Sequence, residues 1–160
     1  MTNAATLTVA SPGTKDVMAA TVTASQGWYV VLAGRGEKTV GAATVFNGTV
    51  FFSTFTPDRA GGCGAGSTKL YALQASGGYA AIDFASGTAA AAPTPATPRF
   101  KEVGRGLGST PVVVLTPPIA PGAPPTASVI IATSSQELPS TPIPAPSFLK
   151  QVRSWRDRSQ

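Results

Sequence analysis

Short runs of apolar and β-branched residues, separated by turns rich in glycine and proline, recur along the 160-residue chain. Runs of about four to eight such residues, bounded by turn formers, are typical of strands. The pattern therefore predicts an all-β fold of antiparallel strands. In the clearest region we expect four strands, at residues 27–32, 38–46, 49–55 and 68–73.

Asn47 and Gly48 separate the second and third of these strands. Asn-Gly is typical of a two-residue hairpin turn, because the type I′ geometry needs a positive φ at both positions. The fourth strand alternates, so Leu70 and Ala72 fall on one face and Lys69 and Tyr71 on the other. Trp28 is expected to fill a space between sheets, as large aromatic residues in β-rich chains usually do.

The chain divides by composition into three parts. Residues 1–26 form a nearly uncharged lead-in segment, and residues 27–138 form the strand-rich region. Residues 139–160 are expected to be an extended, proline-rich C-terminal tail with a basic end. Further strands are predicted at residues 79–84, 99–105, 110–116 and 127–133, with exposed loops at 57–67, 85–98 and 116–126.

One pattern occurs twice, at residues 36–57 and again at residues 106–135: a polar turn, an apolar strand, a turn and a second apolar strand. Such repeats are typical of β-propeller blades, which bury their faces against neighbouring blades. We therefore expect antiparallel strands that form partial propeller blades with long Pro/Gly-rich loops. Two partial blades cannot close a ring. The chain is then the end of a longer propeller, pairs with a partner, or closes as a small sandwich.

Charge and composition exclude several classes of function. The net charge is +5, but the basic residues are scattered except near the C-terminus, so no nucleic-acid partner is predicted. The chain has no histidine, which excludes Ser-His-Asp and Cys-His catalysis. The glycine-rich stretch at residues 57–67 lacks the Lys-Ser/Thr order of a phosphate-binding loop. No apolar stretch approaches the roughly 20 residues of a membrane span, and residues 1–26 lack the features of a signal peptide.

Cys63 is the single cysteine and lies in this glycine-rich stretch. It cannot form a disulfide bond within the chain. It is either a free thiol or one half of a disulfide bond to another chain or to a segment outside this sequence.

Several short motifs follow one another along residues 17–160. They are Gly27-Trp28-Tyr29, Gly36-Glu37-Lys38, the hairpin of residues 45–57, Cys63, Leu-Tyr-Ala-Leu at residues 70–73, residues 104–114, and Ser154-Trp155-Arg156. Their order and spacing resemble the C-terminal part of the PilY family, the large type IV pilus biogenesis factors and tip-associated adhesins.

This resemblance implies a non-catalytic, structural or adhesive component of type IV pilus assembly or of the pilus tip, at the cell surface or outside the cell. The implied partners are pilin or minor pilins, or another chain that completes the propeller. The alternative is a small filament-associated subunit that packs on another chain through open β edges. A fragment of a quinoprotein-like propeller enzyme is a third hypothesis. Partner contacts are expected in the exposed loops and the tail, at Asp58, Arg59, Arg99 and Arg156.

The chain departs from the family at the calcium-binding loop, which has no counterpart here. The aspartates are isolated from one another in the sequence, at Asp16, Asp58, Asp83 and Asp157. We therefore expect no calcium site, no other metal or cofactor, and no enzymatic activity in this chain.

Overall fold

The computed structural model describes residues 2–3, 27–32, 34–58, 66–90, 97–120 and 123–145. Within these ranges the chain forms strands, turns and loops but no helix, so none of the described residues belongs to a helix that could cross a membrane. The strands are β1 (Thr2–Asn3), β2 (Trp28–Tyr29), β3 (Lys38–Thr39), β4 (Thr44–Phe46), β5 (Thr49–Thr56), β6 (Ser67–Gln74), β7 (Ile82–Asp83), β8 (Thr88–Ala89), β9 (Phe100–Arg105), β10 (Val112–Thr116), β11 (Thr126–Ile130) and β12 (Ser140–Ile143). The all-β prediction is confirmed.

Two larger sheets and two strand pairs make up this part of the chain. The larger sheet has five strands. Four of them lie in the order β3-β5-β6-β9, and the fifth, β4, pairs with β5 on the same side as β3. The second sheet has the order β10-β11-β12. Both sheets are antiparallel, and so is the pair of β7 and β8, whereas β1 and β2 pair in parallel.

The predicted hairpin at Asn47 and Gly48 is confirmed. Phe46 of β4 lies opposite Thr49 of β5, so the loop has two residues. Both loop residues have positive φ, 47° at Asn47 and 72° at Gly48. This is the geometry that fits the right-handed twist of the two strands.

The predicted strand at residues 38–46 is interrupted. It forms β3 and β4, which pair with successive parts of β5. Gly41 lies in the interruption, where an added Cβ atom would come within 3.1 Å of the Thr110 backbone. The segment before β10 therefore lies against Gly41, where the pairing with β5 is interrupted between β3 and β4.

Two strands lie where loops or a tail were predicted. β8 falls in the alanine-rich stretch at residues 85–98 and pairs with β7. Their turn is closed by Asp83, whose carboxylate accepts hydrogen bonds from the Ala85 N–H (2.9 Å) and the Ser86 hydroxyl (3.0 Å). β12 lies in the predicted tail, and its Pro142 is tolerated because β12 is an outermost strand.

The core lies between the two larger sheets. The alternation predicted for β6 is confirmed, because Leu70 and Ala72 are buried there. Trp28 is only half-buried and is not part of this cluster; its indole N–H donates to the Ala75 carbonyl (2.9 Å). The buried members of the core come from both sheets and from β7: Phe51, Leu70, Ala72, Ala81, Ile82, Ala127, Val129, Ile131 and Ile143.

Hydroxyl groups join the five-stranded sheet to the segment that leads into β10. Thr44 Oγ1 donates to the Pro111 carbonyl (2.7 Å), and Ser53 Oγ donates to the Ser109 carbonyl (2.8 Å). Thr68 Oγ1 donates to the Gly106 carbonyl. These bonds satisfy carbonyl groups of the segment between β9 and β10, and they join that segment to the five-stranded sheet.

Truncation of Leu70 tests the position of the core. Leu70 is 1% exposed and Leu138 is 71% exposed. We expect Leu70→Ala to lower the free energy of unfolding by about 2–5 kcal/mol, since it leaves a cavity. The matched Leu138→Ala should change it by less than about 0.5 kcal/mol. Urea denaturation measures both, and equal effects would contradict this placement of the core.

Candidate functional site

Asp58 lies two residues after the end of β5, and its carboxylate is paired within the chain. Arg105 Nη2 lies 2.9 Å from Asp58 Oδ2, and both side chains are well exposed. The predicted contact residues Arg59 and Arg156, and Cys63, lie outside the described residues. Asp58 thus ties the segment after β5 to the end of β9.

Arg99 lies at the other end of β9. Its carbonyl accepts a hydrogen bond from the Ala72 N–H (3.1 Å), so its backbone extends the pairing of β9 with β6. The side chain is half-buried, and burial lowers the pKa of the guanidinium. Arg99 and Arg105 are about 20 Å apart along the strand, so the structure does not bring Asp58 and Arg99 together.

A cluster that the sequence analysis missed lies on the face of the five-stranded sheet opposite the core. It begins with a turn in which the Glu37 N–H donates to the Gly34 carbonyl (3.0 Å). Gly36 within this turn has φ 75°, a conformation that glycine adopts without strain. The turn places Glu37 directly before β3 and directs its side chain over β5 and β6.

The Glu37 carboxylate accepts hydrogen bonds from four donors, and its side chain has no solvent exposure. Oε1 accepts from Thr54 Oγ1 (2.6 Å) and Tyr71 Oη (3.0 Å). Oε2 accepts from the Gly34 N–H (2.8 Å) and Lys69 Nζ (3.0 Å). A buried carboxylate is stable only when it is paired and hydrogen-bonded in this way.

The pKa values follow from this geometry. Burial raises the pKa of Glu37, but the hydrogen bonds from Thr54, Lys69, the Gly34 N–H and Tyr71 outweigh burial, so the pKa lies below 4.5. Burial and the nearby Glu37 carboxylate raise the pKa of the Tyr71 phenol. At neutral pH the carboxylate is therefore ionised and the phenol is protonated.

Aromatic rings continue the cluster towards the edge of the sheet. The rings of Phe52 and Tyr71 are stacked with centroids 4.8 Å apart, and Phe100 is tilted against Tyr71 at 5.2 Å. Lys69 Nζ lies 4.6 Å from the centroid of the Phe100 ring. Lys69 thus lies between the Glu37 carboxylate and the face of the Phe100 ring.

The hydrogen bonds of Glu37 join the turn at Gly34 to β5 and β6. General acid–base chemistry needs a group with a pKa near the working pH and access to a substrate. Glu37 and Tyr71 are instead shifted away from neutral pH and buried. Across the described ranges no three His, Cys, Asp or Glu side chains come together as metal ligands would.

The second sheet presents an uncharged surface. Residues 106–136 contain no charged residue. Val113 packs against the core, so the alternating Val112 and Val114 face outward. Val112 is 56% exposed, and Ile119 in the following loop is fully exposed.

A small cavity lies at one end of the core, between the two sheets. Its volume is about 70 Å³. Its apolar walls include Phe51, Ile82 and Ile143, and the side chains of Asn47, Thr49 and Gln74 also line it. All of its lining residues are uncharged.

The comparisons with known proteins find no relative: no protein family model, no curated protein and no solved structure matches this chain.

The alternation of β6 is the signal in the sequence that could have indicated the Glu37 cluster. That alternation places Lys69 and Tyr71 on the same face, and a lysine on a covered face needs an anion. The sequence alone does not select Glu37, which lies 32 positions from Lys69.

Replacement of Glu37 tests the role of the cluster. Glu37→Gln leaves the Lys69 ammonium without its anion. We expect it to lower the free energy of unfolding by about 3 kcal/mol. This is the low end of the cost of breaking a buried ion pair, because the Lys69 side chain is 14% exposed. The matched control is Glu137→Gln, at an exposed glutamate between β11 and β12, which should cost less than about 0.5 kcal/mol. Similar urea midpoints for the two variants would contradict a structural role for Glu37.

The lowered pKa of Glu37 also predicts how stability depends on pH. A carboxylate whose pKa is lower in the folded state contributes stability that is fully present above its unfolded pKa and is lost as the pH falls through the folded pKa. We expect the urea midpoint to fall below about pH 4.5. Glu37→Gln should remove this component, whereas Glu137→Gln should retain it. An unchanged acid dependence in Glu37→Gln would show that other groups cause it.

Proposed function

We propose that the chain is a non-catalytic β module that binds other proteins, in type IV pilus assembly or at the pilus tip. The observation that carries the proposal is the uncharged outer surface of the second sheet, with its exposed Val112, and the exposed Ile119 in the following loop. Depletion of charged residues distinguishes the core of a protein interface from the rest of a protein surface. The pilus assignment rests on the resemblance of the order of the chain's motifs to the PilY family.

The distribution of charge supports the same proposal. Glu37 and Lys69 form an ion pair within the five-stranded sheet, on the face opposite the core. The second sheet contains no ion pair, because its strands have no charged residue, and it leaves aliphatic side chains exposed. In this proposal the two sheets are parts of propeller blades that another chain completes, and the module acts at the cell surface or outside the cell.

Binding to filaments tests the proposal. The purified chain is mixed with type IV pili sheared from the source organism and sedimented. We expect it to sediment with the filaments, and we expect Val112→Asp to weaken binding at least tenfold, since a buried unpaired charge is costly. The control is Val31→Asp, which alters a valine that is 58% exposed outside the second sheet. Absence of the unaltered chain from the pellet would overturn the pilus proposal.

A second candidate function is a small subunit that packs on another chain through an open strand edge. It is favoured by β10, an outermost strand whose residues include no charge and no proline. Other outermost strands carry charge or proline: β3 has Lys38, β9 has Lys101, Glu102 and Arg105, and β12 has Pro142. The uncharged β4 is joined through Thr44 to the Pro111 carbonyl. Sedimentation equilibrium separates the two candidates, because an open edge predicts association of the chain with itself at high concentration, and a monomer throughout would contradict it.

A further inference from the structure

The cavity at the end of the core is formed by three parts of the fold. The hairpin turn after Phe46 and the last residue of β6, Gln74, lie on the side of the five-stranded sheet. Ile143 of β12 lies on the side of the second sheet, and Ala89 of β8 contributes from the β7–β8 pair. Ala89 is exposed although it pairs with the buried Ile82, so the cavity opens to solvent beside β8.

The volume of the cavity limits the group that it can hold. An apolar cavity of about 150 Å³ holds the six carbon atoms of benzene. By proportion, the volume of about 70 Å³ holds about three carbon atoms. This corresponds to the isopropyl group of a valine side chain.

The polar groups that line the cavity determine what is attached to that group. Asn47 and Gln74 each offer an amide that both donates and accepts hydrogen bonds, and Thr49 offers a hydroxyl. Within the described part of the chain, no hydrogen bond engages these three side chains. Amide side chains match the N–H and C=O groups of a peptide, which also donate and accept.

The absence of charge from the lining determines the charge of the ligand. All the lining residues are neutral. A charged group in the cavity would lose its hydration without gaining a partner of opposite charge. The group that enters is therefore neutral and aliphatic.

We propose that this cavity receives a valine-sized side chain of an extended peptide segment of a partner protein, whose flanking peptide groups hydrogen-bond to Gln74 and Asn47. The inference rests on the proposed function as a protein-binding module and locates one contact point of that module. An isopropyl group can also come from a small alcohol, but its single hydroxyl cannot bond to Asn47 and Gln74 together as the two peptide groups that flank a valine side chain can.

The test uses nuclear magnetic resonance of the full chain with three probes. The probes are N-acetyl-valine methylamide, isopropanol and N-acetyl-aspartate methylamide. We expect the valine probe to shift the methyl resonances of Ile82 and Ile143 saturably, with a dissociation constant on the order of 10 mM. The aspartate probe should leave these resonances unchanged.

Two matched variants test whether the valine probe binds in the cavity. Ala89→Leu fills the opening from an exposed position and should weaken binding of the valine probe at least tenfold. Ala132→Leu makes the same change at an exposed alanine that is not in the lining and should bind as the unaltered chain does. Equal binding by both variants would overturn the inference. Isopropanol binding as tight as that of the valine probe would overturn the assignment to a peptide.

Filament binding distinguishes failure of this inference from failure of the proposed function. If the unaltered chain sediments with pili and Ala89→Leu sediments equally well, the cavity is not a contact point and the proposed function stands. If Ala89→Leu alone is lost from the pellet, the inference is supported. If the unaltered chain does not sediment, the proposed function fails whatever the valine probe shows.

Discussion

The fold depends on one buried carboxylate. Glu37 lies in a turn before the first strand of the five-stranded sheet, and its oxygens accept hydrogen bonds from that turn, from β5 and from β6. A carboxylate without solvent exposure would be strongly destabilising if any of these donors were displaced. The interaction therefore selects the arrangement in which turn, β5 and β6 are all in register, and it fixes the face of the sheet that lies away from the core.

The two faces of β6 are stabilised in different ways. Leu70 points into the core, which gains its stability from apolar burial. Lys69 points to the opposite face, where its charge is paired with Glu37. The strands of the second sheet contain no charged residue, and Val112 on its outer face is exposed.

Local patterns predicted the elements whose geometry is local. The turn at Asn47 and Gly48 and the alternation of β6 depend on neighbouring residues, and both predictions are confirmed. β8 was missed because Thr88 and Ala89 lie in an alanine-rich stretch and become a strand only by pairing with β7. The site around Glu37 was missed for a similar reason: its partners lie 17 to 34 positions away, and the register of three strands brings them together.

The most direct test of this account is the titration of Glu37 in the folded protein, followed through its side-chain carboxyl carbon by nuclear magnetic resonance. Four hydrogen bonds to the ionised form predict a pKa below the ordinary value of 4.5. A pKa at or above 4.5 would mean that burial outweighs the donors. The carboxylate would then not be the group that holds the turn, β5 and β6 together.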